Sequence, residues 1–383
     1  MKKRKVPMQL NKLLLLLVLV TVMFAVAACA PAAPPPAPPA ASTAASTDAK
    51  TLTAIKTTTA PTLDGKASES FWATAPEMKV SLAGGGALQG GTGGKFDNGK
   101  TDVTMKASYD AENLYVLLQY KDPTESQQRG PWKLEGGKLV KQGYRAGAGW
   151  YEDKLGIHWN INDSVKDFNT VGCSVTCHAT ADKDGKPLNK HWTNSASEKL
   201  DTWHWKSVRQ NTLFGPDKPG LMHDQFMDNV NYDPANAVKT DSAGRHSDPG
   251  DKEYVDNVTD DQSAPKLVLD GAALNGDPFV IVEGLDKTKP YTADYLKTMR
   301  EGDFIPGLIA KQITGDPADI KVKGKWENGI WTLEISRKLK TTSDKDIQFD
   351  DLAKSYSFAI AAFDNSQIGH AYQNGAQKLI FKQ

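Results

Sequence analysis

The chain has 383 residues, of which 46 are basic and 46 are acidic, so its formal net charge at neutral pH is zero. Five of the basic residues lie before Ala28, and a chain that begins at Cys29 would carry a net charge of about −5. Such a charge, with no Lys/Arg-rich run after residue 28, argues against nucleic-acid binding.

The first 28 residues have the pattern of an export signal, with a basic start and an apolar run from Leu13 to Ala28. The run is short for a membrane-spanning helix, which needs about 20 residues. Its end, Val26–Cys29, resembles a bacterial lipobox, in which the cysteine is lipidated and becomes the new N-terminus. We therefore predict an extracytoplasmic protein anchored to the bacterial membrane by lipid on Cys29. Plain secretion and an uncleaved signal anchor are the alternatives.

Residues 29–60 are rich in Ala, Pro, Ser and Thr, and three consecutive prolines lie at 34–36. This composition cannot bury a core, so we predict an extended tether. The folded domain is expected to occupy residues 61–383.

Alternating apolar residues predict β-strands along most of the folded domain. They indicate a hairpin over 103–120, a strand over 155–161, strands over 320–327 and 330–337 joined by Asn328–Gly329, and strands over 356–363 and 379–381. A helix is suggested only over 292–300. The stretches 84–99 and 179–265 are expected to be long irregular loops. The sum predicts a single all-β sandwich with long loop insertions.

The segment Gly172–His178 reads Gly-Cys-Ser-Val-Thr-Cys-His. Two cysteines followed directly by a histidine are typical of covalent haem attachment, in which the thiols add to haem vinyl groups and the histidine binds the iron. Two residues usually separate the cysteines, whereas three separate Cys173 from Cys177, and we expect the extra residue to form a bulge. We predict one haem c attached through Cys173 and Cys177, with His178 as an axial ligand.

Two other sites are compatible with the same residues. In an exported protein, Cys173 and Cys177 could form a local disulfide. A zinc site would need a fourth ligand beside Cys173, Cys177 and His178, and the chain has no second cysteine pair once Cys29 is assigned to lipidation. We favour the haem.

The folded domain carries a series of short patterns in a fixed order. They are Leu63–Gly65 with Trp72, a hairpin over 109–122, Glu152–Asp153 before a strand, the segment 172–178, the run 201–206, Trp326–Trp331 and Phe363–Asn365. In this order they resemble the haem-binding domain of the ethylbenzene dehydrogenase gamma-subunit type, from about residue 62 to the C-terminus. The resemblance implies an immunoglobulin-like or DOMON-like β-sandwich with one haem, in a family associated with molybdenum enzymes of the DMSO reductase class.

The resemblance also suggests where the second axial ligand lies. Relatives with non-covalent haem place a lysine in the C-terminal loop after the Phe363–Asn365 pattern, and His370 occupies this loop here. We therefore predict His370 as the second ligand of the iron. His191 and Met222 are the alternatives.

An aromatic run, Trp203-His204-Trp205, lies in the stretch that we expect to be irregular. We predict that Trp203 and Trp205 wall the haem and exclude water, so that Trp205→Ala would shift the reduction potential. His204 is assigned to aromatic packing.

These predictions point to a monohaem c-type cytochrome that transfers single electrons and is not itself an enzyme. Its expected partner is a redox protein, such as a molybdenum oxidoreductase or a membrane quinone-linked complex. One alternative is a carbohydrate- or ligand-binding sandwich lipoprotein with a Cys173–Cys177 disulfide. Another is a haem-based sensor, which would need an iron with an open or labile position.

Overall fold

The computed structural model of the chain describes residues 50–84, 96–143, 149–177, 180–181, 187–188, 191–229, 244–250, 252–270, 279–373 and 375–383. The predicted signal peptide, Cys29 and His178 lie outside these residues. The described residues belong to one compact unit. None of their helices is long and apolar enough to span a membrane.

The described part of the chain is built almost entirely from β-strands, joined by three short α-helices and a few 3-10 turns. The helices are α1 Ser70–Thr74, α2 Phe168–Val171 and α3 Ser174–Cys177. The strands are β1 Thr51–Lys56, β2 Met78–Gly84, β3 Lys100–Tyr109, β4 Asn113–Lys121, β5 Trp132–Glu135, β6 Lys138–Lys141, β7 Lys154–Asn160, β8 Thr180–Ala181, β9 Pro187–Leu188, β10 Leu200–Lys206, β11 Gly220–Met227, β12 Arg245–Ser247, β13 Tyr254–Asp256, β14 Leu267–Leu269, β15 Ile281–Val282, β16 Thr288–Pro290, β17 Phe304–Ile305, β18 Leu308–Ala310, β19 Ile320–Glu327, β20 Ile330–Lys338, β21 Tyr356–Phe363, β22 Ala371–Tyr372 and β23 Gln377–Lys382.

The main sheet closes on itself. Its ring runs β21-β22-β2-β3-β4-β20-β19-β11-β10-β7, and β7 pairs back to β21. Strand β12 extends the sheet beside β11, while β1 pairs with both β23 and β3. The all-β sandwich prediction is confirmed, and the closed ring leaves few strand edges exposed.

The main core lies inside this ring and is rich in aromatic residues. Trp159, Trp203, Trp205 and Trp331 are all fully buried there. The rings of Trp159 and Trp203 are 5.1 Å apart, and those of Trp205 and Trp331 are 4.9 Å apart. Aromatic burial on this scale is a major source of stability.

Several predicted strands occur as expected. The hairpin of β3 and β4 forms, and so does the hairpin of β19 and β20. At its turn Asn328 and Gly329 both adopt positive φ, as a tight two-residue hairpin loop requires. Strands β7, β21 and β23 also lie where alternation predicts them, and residues 293–298 form a 3-10 helix at the helix suggested over 292–300.

Two boundaries drawn from the sequence are wrong. The tether was expected to reach residue 60, but β1 begins at Thr51, and Leu52 and Ala54 are fully buried. The stretch 179–265 was expected to be irregular, yet it contains β10 and β11, two strands of the main ring. In both cases pairing with distant strands imposes an extended conformation that the local composition does not favour.

Candidate functional site

The outer face of the sheet formed by β21, β7, β10 and β11 carries a cluster of residues with cofactor-binding chemistry. Successive side chains of a strand point to opposite faces, and the tryptophans of β7 and β10 point into the core. Their neighbours Gly156 and His204 therefore lie on the outer face, directly paired with each other. Gly156 is also paired with Ala361 of β21.

The cysteine segment packs onto this outer face. Gly172 has a φ of 61°, and a Cβ at this position would lie 2.3 Å from the carbonyl oxygen of Gly375, so glycine is required there. The turn at Gly172 places Cys173 in a small apolar cluster. Its other buried members are Val165, Phe168, Leu200, Met227, Ala359 and Ala376.

The three-residue spacing is accommodated by a helical turn and not by a bulge. The Cys177 amide donates to the Cys173 carbonyl at 2.9 Å, and the Thr176 hydroxyl donates to the same carbonyl at 3.1 Å. Residues four apart lie on one side of a helix, so both sulfurs can reach one ligand. The expected bulge is wrong, since an α-helical turn makes an inserted residue unnecessary.

The two sulfurs have different environments. Cys173 is 5% exposed, whereas Cys177 is half-buried. Burial raises the pKa of the Cys173 thiol, and the Cys177 sulfur adds to this effect. Both residues are thiols in the structure, with no disulfide between them.

His370 lies beside the cysteine segment. Its ring packs 4.6 Å from the Phe363 ring and 5.9 Å from that of Tyr372, and Tyr372 packs against the cluster that contains Cys173. The His370 Nδ1 is 2.7 Å from the carbonyl oxygen of Ile368. Because a carbonyl can only accept, Nδ1 carries a proton.

His204 is a second histidine on this face, and its ring centroid is 6.0 Å from that of Phe363. Its Nδ1 is 3.3 Å from Oε1 of Gln225, while its buried Nε2 has no hydrogen-bond partner. Burial, followed by the charge of Lys206, lowers the pKa of His204 well below its usual range. The imidazole is therefore neutral, with an orphaned Nε2.

Open space lies next to His204. A Cβ placed on its pairing partner Gly156 would meet no atom of the described residues within 4 Å. Small residues thus leave this position clear within the described part of the chain, and the ring of Phe363 lies beside His204 at its border. A flat ligand could lie over this position.

Basic side chains border the same face. Lys154 is buried, and its Nζ lies 4.0 Å from the centre of the Phe363 ring and donates to the Gln367 carbonyl at 2.9 Å. Burial, with the charge of Arg209, lowers the pKa of Lys154 well below its usual range. Burial also lowers the pKa of Arg245, an effect that the nearby Cys177 sulfur opposes. An anionic group at the edge of the site would pair with Arg245 and favour the protonated form of Lys154.

A buried network of ion pairs holds the adjoining wall in place. Lys206 Nζ lies 2.6 Å from Glu253, and His223 Nδ1 lies 3.0 Å from the same carboxylate. Arg209 Nε lies 2.5 Å from Glu152. Because each buried charge has a partner, the network can fix the position of β10 and β11.

The sequence-predicted site residues are only partly brought together. Cys173, Cys177 and His370 share one patch, and His191 is half-buried in the segment before β10. Met222 is fully buried in the main core, and Trp203 and Trp205 face the same core. The sheet itself separates the two tryptophans from the cysteine patch, so Trp203 and Trp205 do not line that patch.

Three residues of the patch are not predicted as site residues from the sequence: Lys154, His204 and Gly156. Alternation along β10 was the available signal, because in Thr202-Trp203-His204-Trp205-Lys206 the tryptophans occupy one face and the polar residues the other. His204 was instead assigned to packing with its two neighbours in sequence, although they point to the opposite side of the sheet.

The solved structures to which the chain is similar are distant from it. Two are a carbohydrate-binding module of family 9 from Caldicellulosiruptor kristjanssonii, in complex with cellotriose or with glucose, each 10% identical, with TM-scores of 0.31 and 0.30. They cover 87% of this chain and 94% and 96% of their own. A carbohydrate-binding protein from Bacteroides uniformis is 8% identical over 87% of this chain and 99% of its own, with a TM-score of 0.29. Similarity at this level shows neither ligand nor function.

A comparison with curated protein sequences found no match. The sequence pattern of the ethylbenzene dehydrogenase family, by contrast, matches residues 69–375, which include β2 to β22 and the whole patch. The chain therefore belongs to the ethylbenzene dehydrogenase family.

Proposed function

We propose that the chain is an electron-transfer protein that carries one covalently attached haem c on the outer face of β21, β7, β10 and β11. The observation that carries the proposal is the gathering on that face of Cys173, Cys177 and His370 around the open position over Gly156. A bound haem would supply a one-electron iron couple. The family membership is consistent with a redox role.

The residues of the patch suit a haem better than a bare metal ion. A thioether is uncharged, which fits the apolar surroundings of Cys173, whereas a zinc ligand would have to be a thiolate in the same place. The open position over Gly156 suits a flat macrocycle. Lys154 and Arg245 would face the two propionate groups that every haem carries.

His178 follows Cys177 directly, and we assign it to one side of the iron. We assign His370 to the other side, because its ring packs against Phe363 and Tyr372 beside the cysteine cluster. Two bound imidazoles would leave no open coordination position for a substrate. The chain would then pass electrons and leave catalysis to its partner.

The proposed partner is an oxidoreductase outside the cytoplasm, such as a molybdenum enzyme of the DMSO reductase class or a quinone-linked membrane complex. Lipid on Cys29 would hold the chain at the membrane surface, within reach of such a partner.

The covalent attachment can be tested on the full chain, produced in a bacterium that exports and matures c-type cytochromes. We expect one haem per chain that remains bound after denaturation, detected by a haem stain and by the pyridine haemochrome spectrum. The double variant Cys173→Ala/Cys177→Ala should lose this haem completely, because no sulfur remains to bind it. Ser174→Ala, between the two cysteines, should keep it. Wild-type protein without haem, with its two sulfurs joined or bound to a metal, would contradict the proposal.

The second ligand can be tested by comparing His370→Ala with His204→Ala. His370→Ala is expected to turn a six-coordinate low-spin iron into one that binds carbon monoxide rapidly, and added imidazole should reverse the change. His204→Ala should remain low-spin. The opposite result would identify His204 as the second axial ligand. A weak far-red band in the oxidised wild type would instead identify a methionine as that ligand.

A further inference from the structure

A group of buried aspartates lies away from the proposed haem face, on the inner side of β11. One carboxylate oxygen from each of Asp224, Asp248 and Asp346 lies within 4.8 Å of the others. All three residues are at most 2% exposed. Asp224 is on β11, Asp248 follows β12, and Asp346 lies between β20 and β21, so the carboxylates come from three separate segments.

Asp346, a member of the group, and the neighbouring Asp201 are each held through one carboxylate oxygen only. Asp346 Oδ2 accepts from the Thr341 hydroxyl at 2.6 Å and lies 3.0 Å from Arg337 Nη2. The neighbouring Asp201 uses Oδ2 in the same way, accepting from Trp203 Nε1 at 3.0 Å and from the Ile347 amide at 2.9 Å. The buried Oδ1 of each carboxylate has no hydrogen-bond partner. Protein donors thus orient both side chains and leave one oxygen of each unused.

No N–H or hydroxyl group of the described residues hydrogen-bonds to Asp224 or Asp248, and the nearest partners of Asp224 are the carboxyls of Asp201 and Asp319. All four of their carboxylate oxygens are buried without a hydrogen-bond donor, and neither residue forms an ion pair within the described part of the chain. Burying an ionised carboxylate in this way is strongly unfavourable unless a donor, a bound proton or a cation compensates, and burial accordingly raises the pKa of both groups. This observation is independent of the mere proximity of the acids and points to a missing positive charge.

Arg337 supplies too little charge for the group. Its guanidinium is fully buried and lies 3.0 Å from Asp346 and 3.7 Å from Asp201. Its positive charge is shared with two more carboxyls, those of Asp224 and Asp319. One cation facing four carboxylates leaves an excess of negative charge that a divalent ion would balance.

A second group of buried aspartates provides a contrast. Asp153, near Asp122 and Asp364, accepts hydrogen bonds on both oxygens. Its donors are the Ser126 amide at 2.6 Å, the Asn365 amide at 2.9 Å and Trp331 Nε1 at 3.1 Å. Protein N–H groups satisfy both oxygens of this central carboxylate, whereas no N–H group in the described ranges donates to Asp224.

We propose that Asp224, Asp248 and Asp346 bind one Ca²⁺ ion, with the unused Oδ1 of Asp201 as a further ligand. An all-oxygen donor set suits hard cations, and zinc would favour sulfur or nitrogen. Mg²⁺ loses its water reluctantly, whereas this buried set offers several carboxylate oxygens and little access to solvent. The ion would join β11, the segment after β12 and the segment before β21.

The calcium site would also stabilise one edge of the outer face to which we assign the haem. Asp224 directly follows His223, whose side chain belongs to the ion-pair network on the outer side of β11. Asp248 lies three residues after Arg245. Calcium would therefore hold β12, the edge strand that contains Arg245, in position, whether or not haem is bound.

Calcium titration of the full chain tests the proposal, after removal of metal with a chelator. We expect one Ca²⁺ bound per chain by calorimetry and an increase in melting temperature that Mg²⁺ at the same concentration does not match. Absence of calcium uptake, with an unchanged melting temperature at millimolar Ca²⁺, would overturn the proposal.

The variants Asp224→Asn and Asp248→Asn separate an ion site from a merely structural acid. Each is expected to weaken calcium binding at least tenfold. In chelator, each should melt at the same temperature as the wild type or higher, because a repelling charge is gone, and in calcium each should melt lower. Asp260→Asn, in an exposed loop, should behave as wild type. Variants that melt below the wild type by the same margin with and without calcium would also overturn the proposal.

Discussion

Replacement of Arg337 by methionine is expected to lower the free energy of unfolding by about 3–5 kcal/mol. The guanidinium is fully buried, lies 3.0 Å from Asp346 and donates to the Ile347 carbonyl at 2.7 Å. Methionine has a similar length but no charge, so the carboxylates of Asp346 and Asp201 would stay buried without their cation. Urea unfolding in the presence of chelator, followed by tryptophan fluorescence, measures this loss.

Lys338→Met is the matched control. Lys338 follows Arg337 in β20, its side chain is exposed, and the substitution removes the same single positive charge. Its effect should stay within about 0.5 kcal/mol. Removing a positive charge beside Asp346 should also strengthen calcium binding, so the lost stability cannot be attributed to a lost ion. A loss below about 1 kcal/mol for Arg337→Met would show that the aspartates are not ionised in the folded chain.

Replacement of Trp205 by alanine is expected to lower the free energy of unfolding by about 3–5 kcal/mol, since it would leave a large cavity in the main core. The Trp205 ring packs edge-on against Trp331 at 4.9 Å. Its other side approaches Gly324 so closely that a Cβ there would lie 2.5 Å from the ring. The site has little room to rearrange, and the cavity would persist. Urea unfolding of the variant measures the cost.

The effect of Trp205→Ala on a bound haem should be small. A shift in reduction potential is the expectation from the sequence, but the ring faces the core and the sheet separates it from the cysteine patch. Covalent haem should remain after denaturation of the variant. Trp326→Ala, at a half-buried position, is the control and should cost less stability. Loss of haem, with little change in stability, would place Trp205 at the cofactor after all.

Strands β1 and β11, which the sequence does not predict, share one property: their residues are buried by partners distant in the chain. In β11, His223 pairs with Glu253 on one face, and Asp224 joins the aspartate group on the other. An alternation of apolar and polar residues cannot appear when both faces bury polar groups. In β1, the burial of Leu52 depends on pairing with Leu379 at the opposite end of the chain.

By itself the sequence determined the local chemistry of this protein: the hairpins with their turn, the all-β class, and two cysteines followed by a histidine. These features depend on neighbours in the chain, and local rules describe them. Only the tertiary structure decided which side of β10 faces the cysteines, that His370 and His204 border the same open position, and that four aspartates meet around Arg337. Such groupings depend on strand register, because a shift of one residue would turn every side chain of a strand to the opposite face.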